Sequence, residues 1–332
     1  MLPFDAFCVN TADPATLLIT GSVGDGLPAE RASRLFEIEY GEPDYSKLSE
    51  LATRDRNVAV LGEETGSCPE KSTRMREVFL PMGYQHELRC ALLLGNCCWG
   101  YLHLFRSTGG RDFSREEAEM VEELGVDIAL GLRLSVLRGA PTDDSPLAPG
   151  LILLSADGHD VESMNDPARR WIAELEGQLR DPLPHSICAV AQRARTLRDD
   201  GEPAARSRLQ TRTGSWLAVH GTKLGGRVAV VLERAQPHEV APIILLAYGL
   251  SQREENVVQL LLHGLSNEEI AADLKLSTHT VKDHIKSIFR KVGAASRAEV
   301  AARIFSGQYA PRIAKRAALA GNGWFAYDKT GS

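Results

Sequence analysis

The amino-acid sequence predicts a multidomain fold: an N-terminal α+β region, a smaller middle α+β region, and a C-terminal all-α module of four helices. Three observations lead there. Residues 1–138 and 150–236 mix apolar runs of strand length with helical segments, residues 139–149 (GAPTDDSPLAP) have little to bury, and from Ser251 onward every start signal is that of a helix. At 332 residues the chain is longer than one core usually supports, and its 43% hydrophobic and 25% charged content is that of an ordinary folded protein.

In residues 1–138 the strand candidates are Phe4–Val9, Leu17–Thr20, Val58–Leu61, Glu87–Leu94 and Trp99–Phe105. The last two are split by Gly95-Asn96, as in a hairpin. Ser114-Arg-Glu-Glu117 has the capping-box pattern and opens a long helix, along which Met120, Val121, Leu124, Ile128 and Leu132 recur at helical spacing. After the linker at 139–149, Leu151–Leu154 runs into a turn at Asp157-Gly158 and a helix spans Pro167–Leu175. Strands Arg208–Thr211 and Trp216–His220 flank Thr213-Gly214, and Val228–Leu232 is the final strand. Residues 237–249 then read as a linker helix.

The C-terminal module, residues 250–306, carries regular start signals. Ser251/Glu254, Ser266/Glu269 and Ser296/Glu299 each pair a serine with a glutamate three residues on, the reciprocal cap that satisfies orphan backbone donors, and Ser277 makes a fourth start. The implied helices are Ser251–His263, Ser266–Leu274, Ser277–Val292 and Ser296–Phe305, with Gly264 and Gly293 at C-terminal positions. No reading attaches to the tail at 307–332.

At about 100° per residue, the third of these helices places Val281, Ile285, Ile288 and Val292 on one face. The other face presents His279, Lys282, Asp283, Lys286, Ser287 and Arg290, a mostly basic strip of the width that the major groove accepts. A charged face on a lone amphipathic helix is ordinarily just solvated. Here a short helix, a tight turn and a longer basic helix are buttressed on both sides, which is a helix-turn-helix. With a formal charge of −6, nucleic-acid affinity has to be local to such a surface.

The strings Leu250-Ser-Gln-Arg-Glu-Glu255, Gly264-Leu-Ser-Asn-Glu-Glu-Ile-Ala271, Leu276-Ser-Thr-His-Thr-Val-Lys-Asp-His284, Lys291-Val-Gly293 and Ser296-Arg297 resemble the LuxR (GerE) type DNA-binding domain. The resemblance implies that the third helix reads the major groove and that the fourth pairs two copies. By position it implies contacts to DNA from Ser277, Thr280, Lys282, Lys286 and Lys291 alongside the rest of the strip, and dimerisation through Val300, Ile304 and Phe305. Those three residues serve equally as a cap on the module's own core. Asp283 departs from the commoner apolar residue, and a carboxylate accepts from cytosine N4 but is repelled by phosphate.

Upstream, Gly83-Tyr-Gln-His-Glu-Leu-Arg89, Cys98-Trp-Gly-Tyr-Leu-His-Leu-Phe-Arg106 and Asp112-Phe-Ser-Arg-Glu116 resemble GAF-type sensor domains. Ala156-Asp-Gly158, Asn165-Asp-Pro-Ala168 and Gly214-Ser-Trp216 are similar to a short PAS-type domain. The ligand-pocket candidates are His86, Cys90, Cys97, Trp99, Tyr101 and His103; no cofactor follows from the sequence.

No GxxxxGK[ST], HExxH or GxSxG string occurs, and Gly21-Ser-Val-Gly24-Asp-Gly26 lacks dinucleotide spacing, so no catalytic residue is assigned. Six cysteines without CxxC spacing make neither a disulfide framework nor a zinc site. Two alternatives stand beside the regulator: a GAF-type enzyme that reduces oxidised methionine with cysteines, and an N-terminal protein-interaction platform without a ligand. Without a secretory signal or a ~20-residue apolar span, a cytoplasmic location is expected. Expected partners are double-stranded DNA, a second copy of the chain, a small-molecule effector and RNA polymerase, but no membrane.

Overall fold

The computed structural model describes residues 2–27, 31–137, 148–175, 183–197 and 205–305. Most of the linker expected at 139–149 and the tail from 307 onward lie outside the described residues. The chain divides into two compact units: the first comprises residues 1–135, 147–212 and 216–235, and the second is built mainly from Gln236 onward, with Thr213–Ser215 also assigned to it.

The first unit contains two antiparallel sheets. β1 (Ala6–Ala12), β2 (Ile19–Asp25), α1 (Ala32–Gly41), α2 (Leu48–Leu51), β3 (Val58–Val60), α3 (Leu61–Thr65), β4 (Tyr84–Leu94), β5 (Cys97–Ser107) and α4 (Arg115–Ser135) build the first half. β6 (Gly150–Leu154), β7 (Val161–Met164), α5 (Asp166–Leu175), α6 (His185–Thr196), β8 (Ala205–Gln210), β9 (Trp216–Leu224) and β10 (Arg227–Arg234) build the second. The sheet orders are β2-β1-β5-β4-β3 and β7-β6-β10-β9-β8, the same permutation twice. The β4–β5 hairpin turns at Gly95-Asn96 as expected, with Leu94 opposite Cys97 and Gly95 at φ +61°.

α4 lies against the first sheet by its small residues. Ala118, Val121, Gly125 and Ala129 are buried, and a Cβ on Gly125 would sit 3.3 Å from Cys90 Sγ. Met120 and Leu124 are each 50% exposed. The period expected for this helix is observed but its phase is rotated, because small side chains let the helix backbone approach the strands. The two halves also share core: Leu18 packs with Ile152, Leu154 and Ile187, while Ala189 of α6 packs with Ala12 and Tyr101. Arg208 clamps the buried Asp13 carboxylate, Nη2 to Oδ1 at 2.6 Å and Nε to Oδ2 at 2.9 Å.

A chain of buried charges runs under the first sheet. Arg74 Nε donates to Glu87 Oε2 (2.9 Å), Arg89 Nε to Glu87 Oε1 (2.8 Å), and Arg89 Nη1 to Glu39 Oε2 (2.9 Å), with Asp44 3.1 Å from Arg74. Burial alone would raise the Glu87 carboxyl, but Arg74 and Arg89 hold it well below the usual carboxylate range. Glu87 thus keeps two buried guanidinium groups neutralised.

The second unit is helical: α7 (Pro237–Ala247), α8 (Gln252–Leu262), α9 (Asn267–Leu274), α10 (Thr278–Val292) and α11 (Arg297–Phe305). The expected caps form. Ser251, Ser266 and Ser277 accept from Glu254 N, Glu269 N and Thr280 N, and Gly264 and Gly293 stand at φ +85° and +73°. Gln236 and Glu239 form a further capping box, so the segment starting there enters α7 directly. The core joins Val257, Val258 and Leu261 of α8, Ile270 of α9, and Val281, Ile285, Ile288 and Val292 of α10. Arg297 ties α11 to the Leu265 carbonyl and to Asn267.

Glu254 links α8 to α10. Its Oε2 accepts from Ser251 N (2.6 Å) and Lys291 Nζ (2.7 Å), and its Oε1 accepts from Ser287 Oγ (2.7 Å). Partial burial pushes this carboxyl up, yet Lys291, the Ser251 N–H and Ser287 bring it down to about 2.

Two outcomes follow from these networks. Glu87→Ala strands Arg74 and Arg89 without their shared carboxylate and is expected to destabilise the first unit by ~3–5 kcal/mol in denaturant unfolding; Glu39→Ala, at one end of the chain, costs less. Because the Glu254 pKa is depressed on folding, its contribution is full above the unfolded value of about 4.3 and is lost as pH falls toward 2. Glu254→Gln is expected to lower the melting temperature at pH 7 and to flatten its decline between roughly pH 5 and 2.

Candidate functional site

α10 presents two distinct sides. Val281, Ile285, Ile288 and Val292 are at most 8% exposed, as the periodicity predicts. On the opposite side His279, Lys282, Asp283, Lys286 and Arg290 are exposed. Successive steps of ~100° put Lys282, Lys286 and Arg290 within one quadrant of the helix, and among the described residues neither lysine forms an ion pair. His279 Nε2 lies 3.7 Å from Asp283 Oδ2, one turn on, so the carboxylate that departs from the family pattern has a local neighbour.

The remaining strip residues serve the framework. Ser277 is the N-cap of α10, and its Oγ lies 2.8 Å from the half-buried Thr280 hydroxyl. Ser287 and Lys291 sit on the flank toward α8, engaged with Glu254; Lys291 also donates to the Gly249 carbonyl (3.0 Å). Val300 and Ile304 are 0% and 5% exposed in the module's own core, and Phe305 packs partly buried against it. Within the single chain these three residues close the module's own core.

The first unit has a partly open cavity of about 120 Å³ between the first sheet, α1, α2 and the start of α6. Its wall includes Ile19, Leu35, Phe36, Phe79 and Phe105, with polar groups from Asn10, Glu39, Arg89, His103 and His185. Strand register brings the polar row together: Cys8 pairs with His103, and His103 with Arg89. Of the six pocket candidates only His103 lines this cavity.

The other five lie elsewhere. Cys90 is on the opposite sheet face, against Gly125 of α4. Tyr101 shares the cavity-side face but is buried beside Ala12 and Leu51 and donates to the Leu17 carbonyl (3.0 Å). Cys97 and Trp99 lie beyond a register shift at Leu92/Leu93. His86 Nε2 lies 3.0 Å from the Gly110 carbonyl, outside the cavity. The residues that sequence reasoning missed, Asn10, Phe36, Glu39 and His185, come from three separate elements, β1, α1 and α6. The one local signal was Glu87-Leu-Arg89, two charges on one face of an apolar strand.

Residues 249–304 match GerE, bacterial regulatory proteins of the luxR family. Among solved structures, Escherichia coli SdiA is 12% identical over 92% of this chain and 85% of its own, with a TM-score of 0.29. A phage VqmA–DPO complex is 18% identical over 48% and 82% (TM-score 0.25), and a Vibrio cholerae VqmA dimer, in the absence of target DNA, is 17% identical over 49% and 85% (TM-score 0.22). Likeness at these scores transfers nothing about ligand or assembly. The capped helix pair, the inward apolar line of α10 and the matched segment coincide, and residues 249–304 are a helix-turn-helix domain of the luxR family.

Proposed function

We propose that this chain is a sequence-specific transcriptional regulator that inserts α10 into the major groove of duplex DNA, acts as a homodimer, and is controlled by the region before Gln236. The observation that carries this reading is the outward strip of α10, where Lys282, Lys286 and Arg290 stand exposed on a chain of net charge −6. A negatively charged chain that concentrates cations on one helix face has the electrostatic footprint of a local DNA contact. One such module touches too few base pairs to be selective, which supports pairing on two half-sites. RNA polymerase is a further proposed partner.

The N-terminal unit is proposed to be a GAF-like and PAS-like sensor region without catalytic activity. Two sheets with one strand order support two related modules. Against the thiol-enzyme alternative stand the thiols of Cys90 and Cys98, which burial pushes up to about 12 and about 11, away from the thiolate that nucleophilic chemistry needs.

Fluorescence anisotropy of the full chain on its operator, titrated across salt, tests the reading and gives the number of chains per site. Lys282→Ala and Lys286→Ala are each expected to weaken binding by ~1–3 kcal/mol where the lysine contacts a base, or to reduce the salt slope by ~1 where it contacts a phosphate. A double variant with unchanged affinity and slope would remove α10 as the reading helix. Operator affinity is further expected to differ between the full chain and residues 236–332; equal affinity and promoter output from the two would leave the first unit without a regulatory role.

A further inference from the structure

The cavity under the first sheet contains an unmet hydrogen-bonding group. His103 lines it, is 7% exposed, and has an Nε2 atom with no partner among the described residues. Its Nδ1 edge lies 4.0 Å from Glu87 Oε1, and Glu87 is ionised between Arg74 and Arg89. A carboxylate at that edge favours the tautomer with its proton on Nδ1, in which Nε2 is a lone-pair acceptor. Burial lowers the His103 pKa, so the ring stays neutral near pH 7.

His185, at the start of α6, adds a second unpartnered Nε2 to the same wall, 5.2 Å centroid to centroid from Phe36. Its pKa is pushed down to about 4 by burial, so it too is uncharged. The rest of the wall is largely aromatic and aliphatic. A buried acceptor left unmet costs free energy that a ligand donor would recover.

We propose that this cavity binds one neutral, single-ring molecule whose O–H or N–H group donates to His103 Nε2 and whose ring lies among Phe36, Phe79 and Phe105. Size sets the first limit: an apolar cavity of ~150 Å³ holds one benzene ring, and this one is of that order. Charge sets the second. The charged groups on the wall, Glu39 and Arg89, are paired with each other at 2.9 Å, so an anion would lose its hydration without meeting an uncompensated cation. The acceptor sets the third, because a ligand with no donor leaves Nε2 unmet. That binding here alters DNA affinity rests on the sensor reading above; the binding itself does not.

Calorimetric titration of the full chain with phenol, toluene and benzoate separates these limits. Phenol is expected to bind one-to-one and several-fold tighter than toluene, and benzoate not to saturate. His103→Leu should reduce phenol to the affinity of toluene, a loss of ~10-fold, and Ala32→Leu, which fills the cavity from α1, should abolish binding of both. Should His103→Leu fail to fold, the phenol–toluene contrast in the unaltered chain and the Ala32→Leu result still decide. Equal binding of phenol and toluene, or benzoate binding as tightly as phenol, overturns the assigned acceptor; no saturable binding of any probe overturns the site. Operator affinity with and without phenol reports separately on control, and binding without an effect there counts against the coupling alone.

Discussion

The arrangement of the DNA-binding module depends on one carboxylate. Glu254 closes the N-terminal cap of α8 through Ser251 and, with its remaining lone pairs, holds Ser287 and Lys291 of α10. Apolar packing decides which side of α10 turns inward, but burial is non-directional and tolerates a rotation of some tens of degrees. Hydrogen bonds to a charged group are short and directional, and they fix that rotation. The helix is thereby presented to solvent with Lys282, Lys286 and Arg290 outward. Framework and outward basic strip are thus divided along a single helix, with Ser287 and Lys291 engaged in the framework.

This module was legible in the sequence almost to the residue, because capping is local chemistry. A serine and a glutamate three positions apart satisfy each other's backbone wherever the rest of the chain goes, and the helix starts at Ser251 and Ser266 follow from it; Ser277 caps α10 by accepting from Thr280 N, and at Ser296 the hydroxyl accepts from Glu299 N while the Glu299 carboxylate takes Ala295 N. The turn between α9 and α10 is the exception. Lys275 adopts φ +54°, a left-handed conformation that glycine or asparagine usually signals, and no such residue marks it.

In the first unit, local signals were weaker than long-range packing. α6 (HSICAVAQRART) escaped the periodicity reading because seven of its twelve residues are buried, with neighbours in both halves of the unit, and a helix covered around most of its circumference has no polar face to set the period. β2 overlaps the strand expected at Leu17–Thr20 but runs on from Ile19 to Asp25, through Gly21 and Gly24. Both are close-approach positions: a Cβ would lie 2.9 Å from Thr11 Oγ1 at Gly21 and 2.6 Å from the Phe7 carbonyl at Gly24. Among the pocket candidates, alternation along β4 and β5 sorts Cys90 from His103, but no sequence pattern shows which sheet face α1 covers.

The charges of β4 indicate what kind of interior this is. In a half-solvated strand, Glu87 and Arg89 would point to water and Leu88 and Cys90 to the core. Here α4 covers one face and α1 and α2 the other, so both pairs are buried and the charged pair must find partners inside. Arg74 and Glu39 supply them, at a desolvation cost that an apolar core of the same shape would avoid. What the network gives in return is directional: each guanidinium is fixed by carboxylates, Glu87 is held ionised, and His103 is oriented with one nitrogen toward that charge. A purely hydrophobic interior around a cavity of this size relaxes only partially. One lined on one side by mutually locked ions is restricted further, and the row from Cys8 through His103 to Arg89 borders a space whose polar wall includes a neutral, unmet acceptor.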